Sequence, residues 1–492
     1  MKKYPTTISP QVLIEESKKY LQAYQLDEAL STINRSLLQN QLSEGSDLSL
    51  NGQIVWCKIL LTKGRFIGDE AASKFALNKL ETCHELFAAS SDTSIGTPLP
   101  LIVLLTKAYY QLGEVSKAQQ SAQQLLLFSK STNYVIGKIE AYNLLGQIAL
   151  LKQQPIKALS FGRKAQELLI QDAQILDHEV LATNYELLAD IFLYQKEYKQ
   201  AAIYARKLLQ LVKENLLFKE AHIKAHIILG TCAIAHGNHT IALSHLLEAK
   251  ELATAIGQKQ LIVISLLQIA ILYNKVRYTQ GALKCLKTIA TKYEGILKNK
   301  ATISLFQNTW GQALYDAHQL DEAVVHFEMV QQITNQVTDK QANIIALVHL
   351  SAVHTYKKEF KKALALAKRA NEYIEDIVED VNGQAFNLIN LGNIHFQLGK
   401  FSEAIKLTSR GIATAKRRKE EHNEIRGYQI MSLIFQKQKN YKNALLYQMI
   451  YAKFFEDFFQ KNEGQVLSNF EAAFTIQTLK RKNKTFSMMN NI

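Results

Sequence analysis

The chain has 492 residues, of which 47% are hydrophobic and 21% are charged, and its formal net charge is +14. It contains only 5 Pro and 21 Gly, against roughly 25 and 35 at average usage, and so few turn-forming residues argue against a β-sandwich, barrel or propeller. Apolar residues run through the whole length and exclude a disordered chain, while the basic charge permits acidic partners without requiring them.

The N-terminal region starts without the apolar core of a signal peptide, and it carries two weak copies of a helical hairpin, at Ala29 and Ala71. A polar segment at 91–98 follows, with Gly96 and Pro98 as turn signals. We therefore expect residues 1–97 to form a divergent set of N-terminal hairpins.

From residue 98 to 452 one pattern recurs: a small residue in one helix, a short polar turn, and an Ala in the next helix. The nine aligned alanines, separated by 40 to 43 residues by subtraction, are Ala118, Ala158, Ala201, Ala242, Ala282, Ala323, Ala363, Ala404 and Ala444. The small residues stand 12 positions earlier in every copy: Thr106, Gly146, Ala189, Gly230, Ala270, Gly311, Ser351, Gly392 and Ser432. Small side chains let two helices approach closely, and a single hairpin cannot bury its apolar stripe alone, so neighbouring hairpins must stack.

This order of small residue, bulky residue, turn and Ala resembles the tetratricopeptide repeat (TPR) family, in its long-period form. The resemblance implies an all-α fold, a right-handed α-solenoid of about eleven helical hairpins. The period of about 40 exceeds the usual 34, which longer helices explain. In that family, Asn residues in motifs like Asn390-Leu391-Gly392-Asn393 contact bound peptides, which implies such a role for Asn390 and Asn393.

After the array, residues 453–492 are expected to form a connector-like helix and a basic tail, with one long helix predicted from Tyr451 to Lys484. Such helices lead into output domains in bacterial sensors of this type. Because the sequence stops at Ile492, we expect no output domain on this polypeptide. The helix carries enough Phe to self-associate or to dock on a partner.

The solenoid is expected to have a concave groove lined by the first helix of each hairpin, which the repeat register locates. Amides there would hold an extended peptide backbone, and aromatic rings would anchor its side chains. The predicted groove residues are Tyr110, Asn143, Gln147, Asp190, Tyr194, Asn308, Gln312, Tyr315, Tyr356, Asn390, Asn393 and Phe396. Polar residues also suit any solvated concave face, so each of these residues has an alternative interpretation as an ordinary solvent-exposed side chain that contacts no partner.

Motifs of catalysis are missing from the sequence, which has no phosphate-binding loop, nucleophile elbow or HExxH zinc motif. His222 and His226 are spaced to share a metal, but no further ligand completes a recognised set, so we expect a solvated helix face. Four other candidate residues fall at positions where the repeat packs its helices together, so we expect them to be core residues: His354, His395, Cys232 and Cys285. We expect no catalytic residues, no metal and no cofactor.

The sequence therefore predicts a non-enzymatic scaffold that binds a protein or peptide segment in its groove and acts in intracellular signalling or regulation. The widely separated Cys and the short apolar runs, the longest from Leu261 to Tyr273, predict a cytoplasmic protein without a membrane span. An alternative is a peptide-responsive regulator that contacts nucleic acid through basic edges such as Lys416-Arg417-Arg418-Lys419.

Overall fold

The computed structural model describes residues 10–22, 25–40, 47–67, 70–89, 99–171, 178–213, 218–334, 340–376, 383–460 and 466–474. Every regular element in these ranges is an α-helix, which confirms the all-α prediction. The helices of the first six hairpins are α1 (Pro10–Gln22), α2 (Leu26–Asn40), α3 (Asp47–Ile67), α4 (Glu70–Ala89), α5 (Leu99–Gln111), α6 (Val115–Ser131), α7 (Val135–Leu151), α8 (Pro155–Gln171), α9 (His178–Tyr194), α10 (Tyr198–Lys213), α11 (Lys219–Ala235) and α12 (His239–Ala255).

The remaining helices make five more hairpins. They are α13 (Lys259–Lys275), α14 (Thr279–Lys292), α15 (Lys300–Asp316), α16 (Leu320–Thr334), α17 (Lys340–Tyr356), α18 (Phe360–Glu375), α19 (Gln384–Gln397), α20 (Phe401–Arg418), α21 (Glu421–Lys437) and α22 (Tyr441–Gln460). A further helix covers residues 466–474. The eleven predicted hairpins are therefore all present.

The chain divides into two compact units, an N-terminal unit (Met1–Gln268) and a C-terminal unit (Ile269–Ile492). Among the helices that lie entirely in one unit, the two helices of a hairpin pack together, and the second helix also packs on the first helix of the next hairpin. First helices also touch the first helices of adjacent hairpins, as in α7 with α9 and α17 with α19. This nearest-neighbour stacking is the arrangement of a helical solenoid.

The repeat register holds in the structure. Eight of the nine aligned alanines have no exposed surface and the last, Ala444, is 8% exposed. In several copies the small residue faces the carbonyl of the Ala twelve positions later. Ser351 Oγ donates to the Ala363 carbonyl at 2.8 Å, and Ser432 Oγ donates to the Ala444 carbonyl at 3.1 Å. Glycine serves the same purpose without a hydrogen bond, because a β-carbon on Gly392 would lie 3.2 Å from the Ala404 carbonyl.

A left-handed residue ends the first helix of all nine regular hairpins, always five positions before the aligned Ala. These residues, with φ between 57° and 78°, are Gly113, Gln153, Lys196, Gly237, Arg277, His318, Lys358, Gly399 and Lys439. Glycine adopts this conformation without steric cost, whereas other residues are strained by about 1–2 kcal/mol. Six of the nine hairpins therefore accept strain at the turn, because stacking of the two helices fixes its geometry.

Replacement of Lys358 by Gly is expected to stabilise the protein by about 0.5–1 kcal/mol, since its side chain is exposed and its φ is 61°. Chemical denaturation measures the effect. Lys368→Gly, an equally exposed change inside α18, is the matched control and should cost about 1 kcal/mol. A loss of stability in both variants would contradict the strain argument.

One expectation for the N-terminal hairpins needs correction. Ala71 is exposed, and Ala76 instead has no exposed surface, so the repeat register does not extend to that copy. The single helix predicted from Tyr451 to Lys484 stays a prediction: the parts of it that the structure describes, up to Gln460 and over 466–474, are helical, and the basic run at 480–484 lies outside the described residues.

The helix over 466–474 packs on the corner between α13 and α14. Leu467 is 1% exposed, and the Tyr273 hydroxyl donates to Glu471 Oε2 at 2.7 Å. The hydroxyls of Tyr278 and Ser468 lie 3.3 Å apart. Part of the terminal segment therefore packs on its own C-terminal unit, and self-association through it stays a prediction. None of the described helices combines the length and apolar content that crossing a membrane would need.

Candidate functional site: the first-helix faces

The first helices of successive hairpins lie side by side in each unit and share one face, which we call the first-helix face. Its positions in a hairpin lie 22, 18, 15, 11 and 8 or 7 residues before the aligned Ala, a spacing of three and four that keeps one side of a helix. Eleven of the twelve predicted groove residues lie on this strip; Asn390, 14 residues before Ala404, does not. The structure divides them into a buried group and an accessible group.

Three predicted groove amides are buried between helices. Asn143, Asn308 and Asn390 are 1%, 5% and 0% exposed. Their Nδ2 groups donate to the carbonyl of Val180 at 3.4 Å, the carbonyl of Ala342 at 3.1 Å, and Ser351 Oγ at 2.8 Å. These amides join neighbouring hairpins and are almost completely buried, which is a correction to the sequence-based placement.

Replacement of Asn390 by Ala is expected to destabilise the protein by about 1–3 kcal/mol, because it removes a buried hydrogen bond to Ser351 and opens a gap. The matched change Asn393→Ala, three residues away and partly exposed, should stay within about 0.5 kcal/mol. Thermal unfolding of both variants tests the distinction. Equal losses would mean that Asn390 has no special packing role.

The other predicted residues remain accessible to different degrees. Tyr194 and Tyr356 are 49% and 54% exposed. A partly buried group comprises Tyr110, Gln147, Asp190, Gln312, Tyr315, Asn393 and Phe396. Phe396 packs on Phe401 with ring centroids 6.3 Å apart, so part of its surface serves the core.

In the N-terminal unit, charged groups from α9 and α11 face the Tyr110 phenol of α5; we call Tyr110, Glu186, Asp190, Glu220 and Lys224 the N-terminal recess. Lys224 Nζ lies 2.5 Å from Glu186 Oε1 and 3.4 Å from Glu220 Oε1. Burial, opposed by Lys224 and assisted by Asp190 and Glu186, raises the pKa of Tyr110 to about 12. Three carboxyl groups thus share one ammonium.

The pKa of Asp190 is raised by burial and by the nearby carboxyl group of Glu186. Burial, together with the charge of Glu186 and against that of Lys224, raises the pKa of Asp190 to about 7. The ionised carboxylate only accepts hydrogen bonds, whereas the protonated form that burial favours can also donate one. The N-terminal recess therefore suits a cationic or hydrogen-bonding group.

In the C-terminal unit, six residues form a second cluster, the C-terminal recess: Arg277, Tyr315, Asp316, His349, His422 and Arg426. The Arg277 guanidinium contacts the Asp316 carboxylate and His422 Nε2. Because Arg only donates, His422 accepts at Nε2 and its ring is neutral. Burial, with Arg277 and Arg426 acting in the same direction, lowers the pKa of His422 to about 3.

Aromatic rings pack around the charged residues of the C-terminal recess. The Tyr315 ring meets His349 and Tyr356 edge-on, with centroids 5.9 Å and 5.8 Å apart. His349 stacks on Phe327 at 5.1 Å. The guanidinium carbon of Arg426 lies 4.4 Å from the centre of the Phe386 ring, as in a cation–π contact.

Sequence reasoning missed Arg277, His349, His422 and Arg426. The strip was followed only to 15 residues before the aligned Ala, whereas Arg426 and His422 lie 18 and 22 residues before Ala444. One further helical turn along the stripe reaches Arg426, and a second turn reaches His422. Arg277 occupies the left-handed turn position, which no helical periodicity reaches.

The histidines of α11 do not form a solvated face as expected. His222, His226 and His245 are partly buried, and Nδ1 of His226 lies 3.0 Å from Nδ1 of His245. Burial, with the nearby His245 and His222, lowers the pKa of His226 to about 3. Within the described ranges no group of three or more His, Cys, Asp or Glu is arranged to hold a metal ion.

Two residue types predicted to serve packing do so. All four Cys are free and buried, and burial raises the pKa of the Cys57 thiol to about 12 and that of Cys232 to about 11. Thiols of this kind are poor nucleophiles. His354 is 4% exposed and contacts Glu359 Oε2 through Nδ1 at 2.8 Å.

Part of the basic charge is neutralised locally. Lys357 contacts Asp321, and Arg418 Nε lies 2.6 Å from Glu420 Oε1. Lys361, Lys362 and Lys368 are exposed on the second helix α18, away from the first-helix face. These three exposed lysines therefore belong to a helix that contributes to neither recess.

Neither the models of known protein families nor the curated proteins include a match to this sequence. Among solved structures, the chain is similar to the apo form of the quorum sensor NprR from B. thuringiensis, with a TM-score of 0.53 and 12% identity over 72% of this chain and 97% of that one. NprR in complex with its cognate peptide NprX gives a TM-score of 0.47 and 15% identity, over 70% of this chain and 98% of that one.

A Rap protein complexed with competence and sporulation factor gives a TM-score of 0.33 and 13% identity, over 92% of this chain and 99% of that chain. At these identities the likeness concerns the fold alone. The helical-repeat fold of the tetratricopeptide type, expected from the sequence, is confirmed.

Proposed function

We propose that this chain is a non-catalytic scaffold that binds a peptide, or an extended segment of a protein, on its first-helix faces. The observation that carries the proposal is convergence: side chains from three or four different hairpins meet in one recess in each unit. In the N-terminal recess Tyr110, Glu186 and Lys224 come from three different first helices. Ligands that touch several repeats at once are the kind that solenoids bind.

The composition of the recesses supports a polypeptide ligand. Partly exposed Tyr rings offer flat apolar anchors, and the charged and amide groups beside them can form hydrogen bonds with a backbone. The shared fold with the quorum sensor NprR supports the same class of function. A role in cytoplasmic signalling or regulation follows from this proposal and stands or falls with it.

The direct test is affinity selection of short synthetic peptides from a random library by the whole purified chain, with bound peptides identified by mass spectrometry. Tyr194→Ala and Tyr356→Ala should each weaken the selected peptides at least about tenfold, since exposed aromatic anchors dominate interface energies. Tyr441→Ala is the matched control, because Tyr441 is 67% exposed on the second helix α22.

Three outcomes are informative. Loss of binding in either groove variant with no change in Tyr441→Ala supports the proposal. Equal binding by all variants places the ligand elsewhere and contradicts it. If the intact chain selects no peptide at all, the proposal is wrong. Retention of the chain on nucleic acid that falls steeply with salt would then favour the alternative, a regulator that contacts nucleic acid.

A further inference from the structure

The helix over residues 466–474, which we call the terminal helix, contacts a hairpin far from it in the sequence. It follows α22, yet it packs on the corner of α13 and α14, four hairpins before α21 and α22. The Tyr273 hydroxyl donates to Glu471 Oε2 at 2.7 Å across 198 positions, and the Tyr278 hydroxyl lies 3.3 Å from Ser468 Oγ across 190 positions. Repeats of a solenoid ordinarily contact only their neighbours, so this contact is an addition to the stack.

The terminal helix presents one side to this corner. Leu467 is 1% exposed, and Ser468 and Glu471 are partly buried beside it. Ala473, on the other side of the helix, is exposed. The hydrogen bond that Tyr273 donates to a carboxylate is charge-assisted, and such bonds are stronger than neutral ones. The interface is nevertheless small, so the terminal helix can open locally while the solenoid stays folded.

The corner that receives the terminal helix differs in sequence from the same place in the other regular hairpins. Tyr278 stands four positions before the aligned Ala, where the other eight copies have polar residues: Glu114, Gln154, Glu197, Asn238, Gln319, Glu359, Lys400 and Asn440. Gly281, one position before the Ala, has no glycine counterpart in those copies. A β-carbon there would overlap the Tyr278 ring and would lie 2.8 Å from Tyr273 Cδ2. Because glycine is unfavourable inside a helix, its presence in α14 indicates that room for the two rings outweighs helix propensity.

The same turn also belongs to the C-terminal recess. Arg277, the neighbour of Tyr278, has a left-handed φ of 59° and contacts Asp316 and His422. Two adjacent residues therefore join this turn to two separate elements, Arg277 to the start of α21 and Tyr278 to the terminal helix. A shift of the turn affects both contacts.

We propose that the terminal helix is a strap: by docking on Tyr273 and Tyr278 it holds the turn after α13 in place, and it thereby keeps Arg277 against His422 in the C-terminal recess. The two states are the docked and the released terminal helix. Coupling between docking and the recess is reciprocal, so a ligand that fits the recess stabilises the docked strap, and release of the strap weakens the ligand. This regulatory part rests on the proposed function, whereas the strap itself does not.

Hydrogen exchange of the whole chain, followed by mass spectrometry, tests the strap without any ligand. Leu467→Asp places a charge in the interface and should release the terminal helix. The amides of Arg277, Tyr278, Asn423 and Glu424 form backbone hydrogen bonds in the structure. In this variant they should exchange at least about tenfold faster, while the amides of α17 should not change.

Two further variants control this experiment. Ala473→Asp adds the same charge on the exposed side of the terminal helix, and its exchange should match that of the intact chain. Tyr273→Phe removes only the hydroxyl that donates to Glu471 and keeps the buried ring, so it should cause a smaller rise at the same amides. With this variant the test does not depend on the chain tolerating Asp at position 467. A thermal melt establishes that each variant is folded.

The regulatory part is tested with the peptides that the intact chain selects, sorted by whether Tyr194→Ala or Tyr356→Ala weakens them. Leu467→Asp should weaken the Tyr356-dependent peptides at least about fivefold, because Tyr356 packs on Tyr315 of the C-terminal recess. The Tyr194-dependent peptides bind the other unit and should be unaffected.

Each result decides one part of the inference. Faster exchange that is confined to the terminal helix, or that is equal in Leu467→Asp and Ala473→Asp, overturns the strap. Faster exchange at the turn and at α21 with unchanged affinity for the Tyr356-dependent peptides overturns the regulatory part alone, as does a selection in which no peptide depends on Tyr356. If the intact chain selects no peptide, the proposed function is wrong, and the exchange rates still decide whether the strap exists.

Discussion

Replacing Gly392 with Val is expected to destabilise the protein by about 3 kcal/mol or more, at the upper end of the cost of overpacking a core. A β-carbon at this position would overlap Thr408 Oγ1 and would lie 3.1 Å from the Thr408 backbone nitrogen. Backbone atoms of α20 cannot turn aside as a flexible side chain can. Urea denaturation of the whole chain measures the loss.

The control for this prediction is a substitution of Thr408, the residue that a side chain at position 392 would meet. Thr408 Oγ1 is buried without a hydrogen-bond partner, so Thr408→Ala alone should cost little. Combined with Gly392→Val it should recover only part of the loss, because the backbone contact remains. Gly→Ala in an open helix stabilises by about 1 kcal/mol, so a gain in stability for Gly392→Ala would show that close helix approach does not require glycine here.

Replacing His349 with Phe is expected to make the protein more resistant to acid. Burial, with Arg277 and Arg426, lowers the pKa of His349 to about 3 from its ordinary value of 6.5. The unfolded chain therefore binds a proton at this residue below pH 6.5 while the folded chain does not, so folding stability is lost as the pH falls from 6.5 toward 3. Phe keeps the stacking on Phe327 and Phe386 and removes the titration.

The measurement is the free energy of unfolding at pH 7.5 and pH 4.5. The wild type should lose more stability between these values than His349→Phe does, by about 1–3 kcal/mol. At pH 7.5 the variant should be at least as stable, since it removes a buried Nδ1 that has no hydrogen-bond partner. An equal loss in both proteins would mean that His349 is not held neutral in the fold.

The repeat positions could be predicted from the sequence because they depend on contacts within one hairpin. Ala363 and Ser351 belong to the same pair of helices, twelve residues apart, and their contact follows from local helix geometry. The burial of the Asn390 side chain could not be predicted in this way. Its burial depends on how closely the preceding hairpin approaches, since its Nδ2 donates to Ser351, 39 residues earlier.

The candidate site was only partly predictable for a similar reason. Tyr315 and Asp190 fall on a stripe that periodicity identifies. Arg277 belongs to a turn, and its contact with His422 joins residues 145 positions apart. Sequence spacing in one repeat carries no information about a contact that depends on several stacked repeats.

The way in which the C-terminal recess is assembled affects how binding should be mapped. Its side chains come from the turn after α13 and from α15, α17 and α21, so no isolated hairpin contains it. Serial truncation would abolish the pocket whichever end is trimmed, and it would wrongly assign the ligand to whatever segment was deleted last. Single substitutions, or photo-crosslinking from a position such as Tyr356, would locate the ligand without dismantling the pocket.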